Sequence, residues 1–449
     1  MRMHDKRCSV KLALVGLATL AFATPAHAEL VATASDGLLA VAPAGTPWVA
    51  VVRDDALVLE TRTASGWQAY PAGAAPGPVV RLAGLVAGRD GTLSLLLEGA
   101  NGDWLMLVRR DAAGALRRWT IVRPDSQVGR LGPAGLALDA RGSPVVSYTA
   151  MRGAFNAKLG GIPTYLRLAR LAGARLRTAP ITRRGFPQSD RPPASVPVLV
   201  GGVIHVVETY TSAAIEWQPK RRGGWIGQYL FLSVLGAPVG PIAAVSAAGG
   251  EVWSAWTQDY PTLGETHVLL NLRRTDETTD DVVGHGSLVS LTLADGQPEL
   301  AANDWVDAEG TRDYAGLVTD AEGNAAELDG RLAGYVALPN GDRQLLVAEP
   351  EGLQWYDVPA RPSVHVTLTA AADGRLAGHV AGALGGASIQ LYRERPDTAR
   401  VLIATVPLAA DGSFSARDGA PLSPTLYRAV YSDPASGLPY ASLTRTPIG

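Results

Sequence analysis

The sequence predicts an all-β chain: a β-propeller of about seven blades followed by an immunoglobulin-like β-sandwich. Three observations carry that expectation. An apolar strand, a tight glycine turn and a second apolar strand recur between residues 36 and 358. The turn glycines are Gly45, Gly91, Gly142, Gly202, Gly250, Gly296 and Gly341, spaced 45 to 60 residues apart. That spacing holds four strands and three turns, the content of one blade. After Pro359-Ala360-Arg361-Pro362 the pattern changes to short alternating strands separated by Asp-Gly, Gly-Gly and Asp-Pro turns.

The N-terminal segment comes first. Arg2, Lys6, Arg7 and Lys11 precede the short apolar stretch Leu12–Ala23, and Ala26-His27-Ala28 has the small-x-small pattern of a signal-peptidase site. Residues 1–28 therefore read as a cleaved signal peptide, with the mature chain beginning at Glu29 and working outside the cell, free or at the cell surface. The apolar stretch is too short to span a bilayer, and no later run is long enough. Cys8 is the only cysteine, so the mature chain has no disulfide, no thiolate nucleophile and no Cys-ligated zinc. The chain carries a formal net charge of −2 and no basic block of the kind that grips nucleic acid.

Residues 29–360 are assigned to the propeller. In the first blade, strands fall at Leu38–Pro43, Pro47–Arg53, Leu57–Arg62 and Trp67–Tyr70. The second blade repeats this, with Trp104–Arg109 and Leu116–Val122 as third and fourth strands. The later strands of each blade are more polar, as expected where inner strands are buried on both faces and the outer one meets water. The seventh repeat supplies only three strands: Leu332–Leu338, Gln344–Ala348 and Leu353–Val358. Leu30–Ala34 stands alone at the mature N-terminus and is expected to be the fourth, closing the ring and removing its open edge.

Residues 363–449 are assigned to the sandwich, with strands at Val364–Thr369, Gly378–Ala381, Ser388–Arg393, Val401–Val406, Ser413–Ala416, Leu426–Tyr431 and Tyr440–Thr444. The stretches Ser388–Arg393, Asp411-Gly412-Ser413-Phe414 and Thr425–Tyr431 resemble bacterial immunoglobulin-like domains appended to secreted proteins, and that resemblance implies a spacer. In the propeller region, Ala137–Gly142 and Gly88–Thr92 resemble fragments of the Asp-box of sialidase-like propellers. The aromatic position of that motif is filled by valine or leucine here, and the Arg-Ile-Pro start of those enzymes is absent. Asp90 and Asp139 are accordingly expected to form plain hairpin turns.

No G-x-S-x-G elbow, H-E-x-x-H helix, P-loop or dinucleotide fingerprint occurs, and no pattern asks for a cofactor. His205 is the one histidine close to a carboxylate and a phenol, Glu208 and Tyr210. Such a group could serve proton abstraction in a polysaccharide lyase, or be a half-buried structural histidine. Asp304, Asp307 and Glu309 could bind calcium, or form a solvated acidic loop; no metal site is assigned.

The candidate binding residues come from loop lengths. The segments Met151–Pro163, Thr211–Gly224, Gln258–Thr266 and Asp304–Arg312 read as long loops between second and third strands, all on one face of the ring. They carry Arg152, Phe155, Asn156, Trp217, Arg221, Arg222, Asp259, Tyr260, Trp305 and Asp307. Long loops on a rigid scaffold concentrate function, and aromatics beside charges suit sugar rings or a protein partner. The expected function is an exported binding protein whose propeller recognises a glycan or protein. The alternative is a carbohydrate-active enzyme, a lyase or glycoside hydrolase.

Overall fold

The computed structural model describes residues 28–449, apart from 35, 54–55, 75–78, 100–101, 124–129, 155, 160, 187–191, 211–212, 233–236, 261–264, 274–280, 295, 309–310, 320–324, 330, 359–364, 372, 384–385, 396–397, 420–425, 433–438 and 446–449. The described residues form strands and turns only, and none of their segments is a helix long and apolar enough to cross a membrane.

Strands come in antiparallel groups of four. After β1 (Ala28–Ala32), the first blade is β2 (Gly37–Val41), β3 (Pro47–Arg53), β4 (Ala56–Thr63) and β5 (Gly66–Ala74). The second is β6 (Val79–Ala87), β7 (Leu93–Gly99), β8 (Leu105–Arg110) and β9 (Leu116–Val122). The third is β10 (Gly135–Leu138), β11 (Pro144–Met151), β12 (Ile162–Ala172) and β13 (Arg175–Phe186). The fourth is β14 (Ser195–Val200), β15 (Val203–Tyr210), β16 (Ala213–Pro219) and β17 (Trp225–Leu232). Then come β18 (Ala237–Ser246), β19 (Val252–Tyr260) and β20 (Glu265–Arg273), followed by the long β21 (Asp281–Ala294). Its first half pairs with β20 and its second half with β22 (Gln297–Ala308), so one strand serves two blades. The next blade continues with β23 (Thr311–Thr319) and β24 (Ala325–Asp329). The closing blade is β25 (Arg331–Ala337), β26 (Arg343–Glu349) and β27 (Gly352–Val358).

This is a β-propeller. The first strands of successive blades touch in the order β2, β6, β10, β14, β18, β21, β25, and β25 returns to β2. All seven turn glycines sit between first and second strands with φ between +72° and +84°, a conformation that glycine adopts at no steric cost. Five of these turns share one pattern, as in Gly91 N to Gly88 O (3.1 Å) with Gly88 N to Thr92 O (2.7 Å). Asp139 caps such a turn by accepting from the amides of Arg141 and Ser143, and Asp90 accepts from Thr92. Both aspartates are therefore turn-formers, as expected.

Crowding near the axis explains other glycines. A Cβ on Gly334 would lie 2.6 Å from Leu39 Cβ, and one on Gly135 2.6 Å from Val196 Cα. Only a bare backbone lets neighbouring first strands come this close. Buried polar side chains then tie each blade to the next. Near the end of a second strand, Glu98, Thr257 and Asn303 accept the amides of Ala134 (2.6 Å), Leu288 (3.0 Å) and Leu332 (2.7 Å) in the following blade. Thr149 donates to the Pro193 carbonyl in the same way.

Closure follows the sequence expectation. β1 pairs antiparallel with β27, Ala28 opposite Tyr356 and Leu30 opposite Gln354, and supplies the missing fourth strand. The joint reaches into the first blade. Glu29 accepts from Arg62 Nε (2.9 Å) and Nη2 (2.6 Å). Arg62 lies 5.0 Å from the centroid of Trp355, whose ring meets Trp67 edge-on at 5.8 Å.

The C-terminal residues form β28 (His365–Ala370), β29 (Arg375–Ala381), β30 (Ser388–Arg395), β31 (Thr398–Pro407), β32 (Ser413–Arg417), β33 (Leu426–Ser432) and β34 (Pro439–Arg445). Sheets β28-β29-β32 and β34-β33-β30-β31 enclose one core containing Leu376, Ile389, Leu391, Phe414, Tyr427 and Tyr431. At its margin Tyr427 donates to Asp418 (3.0 Å), which also pairs with Arg393; burial and that carboxylate push the Tyr427 phenol up to about 12. The larger sheet does not hang free. Ala325 and Ala326 of β24 pair with Ala441 and Tyr440 of β34, so the sheet runs on from the propeller, and β31 comes back against β22.

Three outcomes follow. Trp355→Ala should cost about 3–5 kcal/mol, the usual loss for a buried tryptophan, and removing residues 29–34 should abolish the propeller's cooperative thermal transition seen by circular dichroism, because β27 becomes an open edge. Residues 363–449, which own a complete core, should still unfold cooperatively as an isolated fragment, checked by urea titration.

Candidate functional site

The sequence-derived residues divide between two faces of the propeller. Arg152 and Asn156 occupy the connection from β11 to β12; Arg152 is exposed, and Asn156 Oδ1 accepts the Lys158 amide at 3.0 Å. Phe155 lies outside the described residues. Asp259 and Tyr260 end β19, opposite Thr266 and Glu265, while Trp305 and Asp307 lie in β22 opposite Tyr314 and Arg312. These positions share the face bearing the second-to-third connections, but the long loops expected over 258–266 and 304–312 are mostly strand, because β19, β20, β22 and β23 extend into them.

The fourth blade departs from expectation. Residues 211–224 are not one long loop: Ala213–Pro219 form β16, with Trp217 inside it. Arg221 and Arg222 are exposed in the Lys220–Gly224 turn before β17, on the opposite face. The segment looked like a loop because Glu216 interrupts its apolar pattern. That glutamate is fully buried, and its partner His205 comes from the neighbouring strand, Nδ1 to Oε1 at 2.6 Å.

Strand alternation separates the two carboxylates of this blade. Val207 faces Glu216 across the β15–β16 pair, so His205 and Glu216 share one face. Glu208 points the other way, towards the third blade, where Arg184 of β13 pairs with it and Trp217 Nε1 donates to it at 3.0 Å. His205 and Glu208 therefore form no pair. The Arg184 guanidinium also stacks over the Trp217 ring, 5.3 Å from its centroid.

Glu208 thus anchors one end of a groove between the outer strands of the third and fourth blades. Its floor is a buried cluster of Val145, Leu166, Leu168, Ile204 and Val206, against which Trp217 and Trp225 pack. On the fourth-blade wall the register places Trp225 beside Pro219 and Tyr229 beside Ile215, on the face that carries Trp217. Gly227 lies under the Trp217 ring, where a Cβ would come 3.0 Å from it. Tyr229 is 60% exposed. On the third-blade wall Arg170 sits opposite Arg177 and Ala172 opposite Arg175. Leu166 and Leu168 belong to the floor, so alternation turns Arg170 and its cross-strand partner to the same side. Sequence reading missed Trp225, Tyr229 and these arginines because the groove joins strands some fifty residues apart.

The chain matches no family model and no curated protein. Among solved structures it is similar to puromycin hydrolase, with 15% identity and a TM-score of 0.45 over 84% of this chain and 62% of that one. It therefore spans less than two thirds of that protein's length. It is also similar to an α-L-arabinanase of Penicillium chrysogenum complexed with arabinobiose, with 9% identity, a TM-score of 0.42, and 61% and 91% of the chains covered. The WD40 domain of SCAP from fission yeast gives 10% identity, a TM-score of 0.38, and 94% and 91% coverage.

Burial pushes the Glu60, Glu98 and Glu208 carboxyls above their ordinary value, against the opposing pull of Arg53, Arg81 and Arg184 respectively. Each binds its proton more tightly folded than unfolded, so stability is greatest below the unfolded carboxylate range and falls as pH rises through the raised values. Thermal melts should accordingly show a higher midpoint near pH 5 than near pH 8, and Glu208→Gln should flatten that slope.

Proposed function

We propose that the chain is an exported binding protein: a seven-bladed propeller that recognises a glycan, with an immunoglobulin-like sandwich as its spacer. The mature chain starts at Glu29, which then opens the closing strand. The observation that supports glycan recognition is the groove between the third and fourth blades. It presents Trp225 and Tyr229 on a rigid outer strand, over an apolar floor, with Trp217 braced by Gly227 and Glu208 behind them. Aromatic faces held rigidly at the surface stack on sugar rings at little entropic cost. Charged side chains at blade junctions, Arg184–Glu208 and Arg343–Glu299, are engaged with one another and hold the blades in register.

A glycan array probed with the mature protein should give specific binding. Tyr229→Ala should weaken it about tenfold without shifting the melting temperature, because the side chain is exposed. Binding that ignores Tyr229 and Trp225 would move the site elsewhere. Release of shortened or unsaturated sugars from the bound glycan would instead establish the carbohydrate-active enzyme.

A further inference from the structure

Charge is segregated along this chain. Residues 123–191, spanning the third blade, hold twelve Arg or Lys and three Asp, whereas residues 259–329 hold sixteen Asp or Glu and three Arg. The acidic stretch lies where the C-terminal sheet joins the propeller through β24 and β34. On β33, Tyr427, Ala429 and Tyr431 fill the sandwich core, yet Arg428 and Val430, on the opposite face, are 3% and 7% exposed.

In the third blade Arg184 pairs with Glu208 of the fourth, but the arginines nearer the outer turn stay outside such pairs. Arg170, Arg175 and Arg177 are exposed, and none forms an ion pair with a described residue. Arg170 and Arg177 stand directly opposite each other across β12 and β13, and like charges in that position destabilise a sheet. In the second blade the like pair of Arg109 opposite Arg117 has a carboxylate at hand, Asp90 at 3.9 Å from Arg109. A fold gains nothing from holding cations face to face unless an anion lies between or along them. The arginine row forms one wall of the groove whose other wall carries Trp225 and Tyr229.

We infer that the groove binds a linear acidic polysaccharide, with sugar carboxylates on Arg170, Arg175 and Arg177 and sugar faces on Trp225 and Tyr229. This rests on the reading of the groove as a glycan site and names its ligand class. The spacing suits such a polymer: side chains on one face of a strand recur every ~7 Å, and cross-strand partners lie ~5 Å apart, about the repeat of a chain bearing a carboxylate on each sugar. The apolar floor with aromatics on one wall favours a sugar ribbon over a duplex nucleic acid, which is gripped chiefly through its phosphates. Guanidinium groups can pair with each carboxylate in a fork, so each arginine contributes separately.

The test uses the full mature chain with polygalacturonate as probe, dextran as neutral control, and duplex DNA and phosphatidylglycerol vesicles as other polyanions. Polygalacturonate should bind, and more weakly as salt rises from 50 to about 500 mM. Arg175→Gln and Arg177→Gln should each weaken binding about tenfold, while Arg141→Gln, an equal charge change in a turn, should not. Arg177→Gln should also leave the melting temperature unchanged or raise it, since it relieves the pair with Arg170, so lost binding could not be blamed on misfolding. Equal losses for Arg141→Gln and Arg177→Gln would overturn the inference, as would DNA or vesicles binding as tightly through the same arginines. Dextran binding that needs Tyr229 but none of the arginines would overturn the acidic ligand and leave the glycan reading standing. Failure of every glycan would overturn both.

Discussion

Everything in the propeller depends on the pairing of β1 with β27. A propeller is a ring of blades that each bury one face against the next, so it is stable only if the last blade meets the first along a finished edge. The closing blade is built from strands at the two ends of the repeat region, which converts chain connectivity into a clasp. Without β1, β27 would offer a row of free amides and carbonyls, and Trp355, 2% exposed, would lose part of its cover. The clasp is reinforced across the seam rather than only within the blade. Glu29 holds Arg62, Arg62 lies over Trp355, and Trp355 packs on Trp67, so four residues from four strands span the joint.

The same economy appears at every other blade boundary, with different chemistry at different radii. Near the axis the blades touch through glycine and alanine, because the first strands converge there. Further out, leucine and valine fill the interface. At the periphery the blades splay, and the wedge is filled by long side chains. Arg110 reaches between Trp48 and Tyr70 at 5.0 and 4.8 Å, Arg118 donates to the Ala72 carbonyl, and Trp119 donates to the Ala174 carbonyl. Arginine suits this place, since its stem covers apolar surface while its flat head stacks on a ring. The groove between the third and fourth blades is the exception: there Arg170, Arg175 and Arg177 line the opening without being used to fill it.

The propeller was legible in the sequence because its signal is local. A glycine at positive φ between two apolar strands is written in about a dozen consecutive residues, and it recurs seven times. The seven C-terminal strands were legible for the same reason, each bounded by its own turn. The site was not legible because its logic is long-range. Trp217 read as a loop aromatic, since Glu216 and Gln218 on either side of it made β16 look polar. Glu208 is tolerable in a core only because Arg184, twenty-four residues earlier, reaches it from another blade. Loop length, the rule that selected Arg221 and Arg222, identified exposed residues but not the face they share.

Charge segregation bears on how such a ring assembles. Opposite charges placed in one blade would neutralise each other locally; here they are separated by the fourth blade, so the third blade keeps its positive field and the acidic stretch keeps its own. The cost is self-repulsion within each region. On the acidic side the propeller and the C-terminal sheet are joined by backbone pairing between β24 and β34. The C-terminal domain therefore does more than extend the chain: its sheet continues one from the propeller. The arginine side has no equivalent among the described residues, and a surface left in that condition by an otherwise compensated fold is the one at which an outside anion has most to offer.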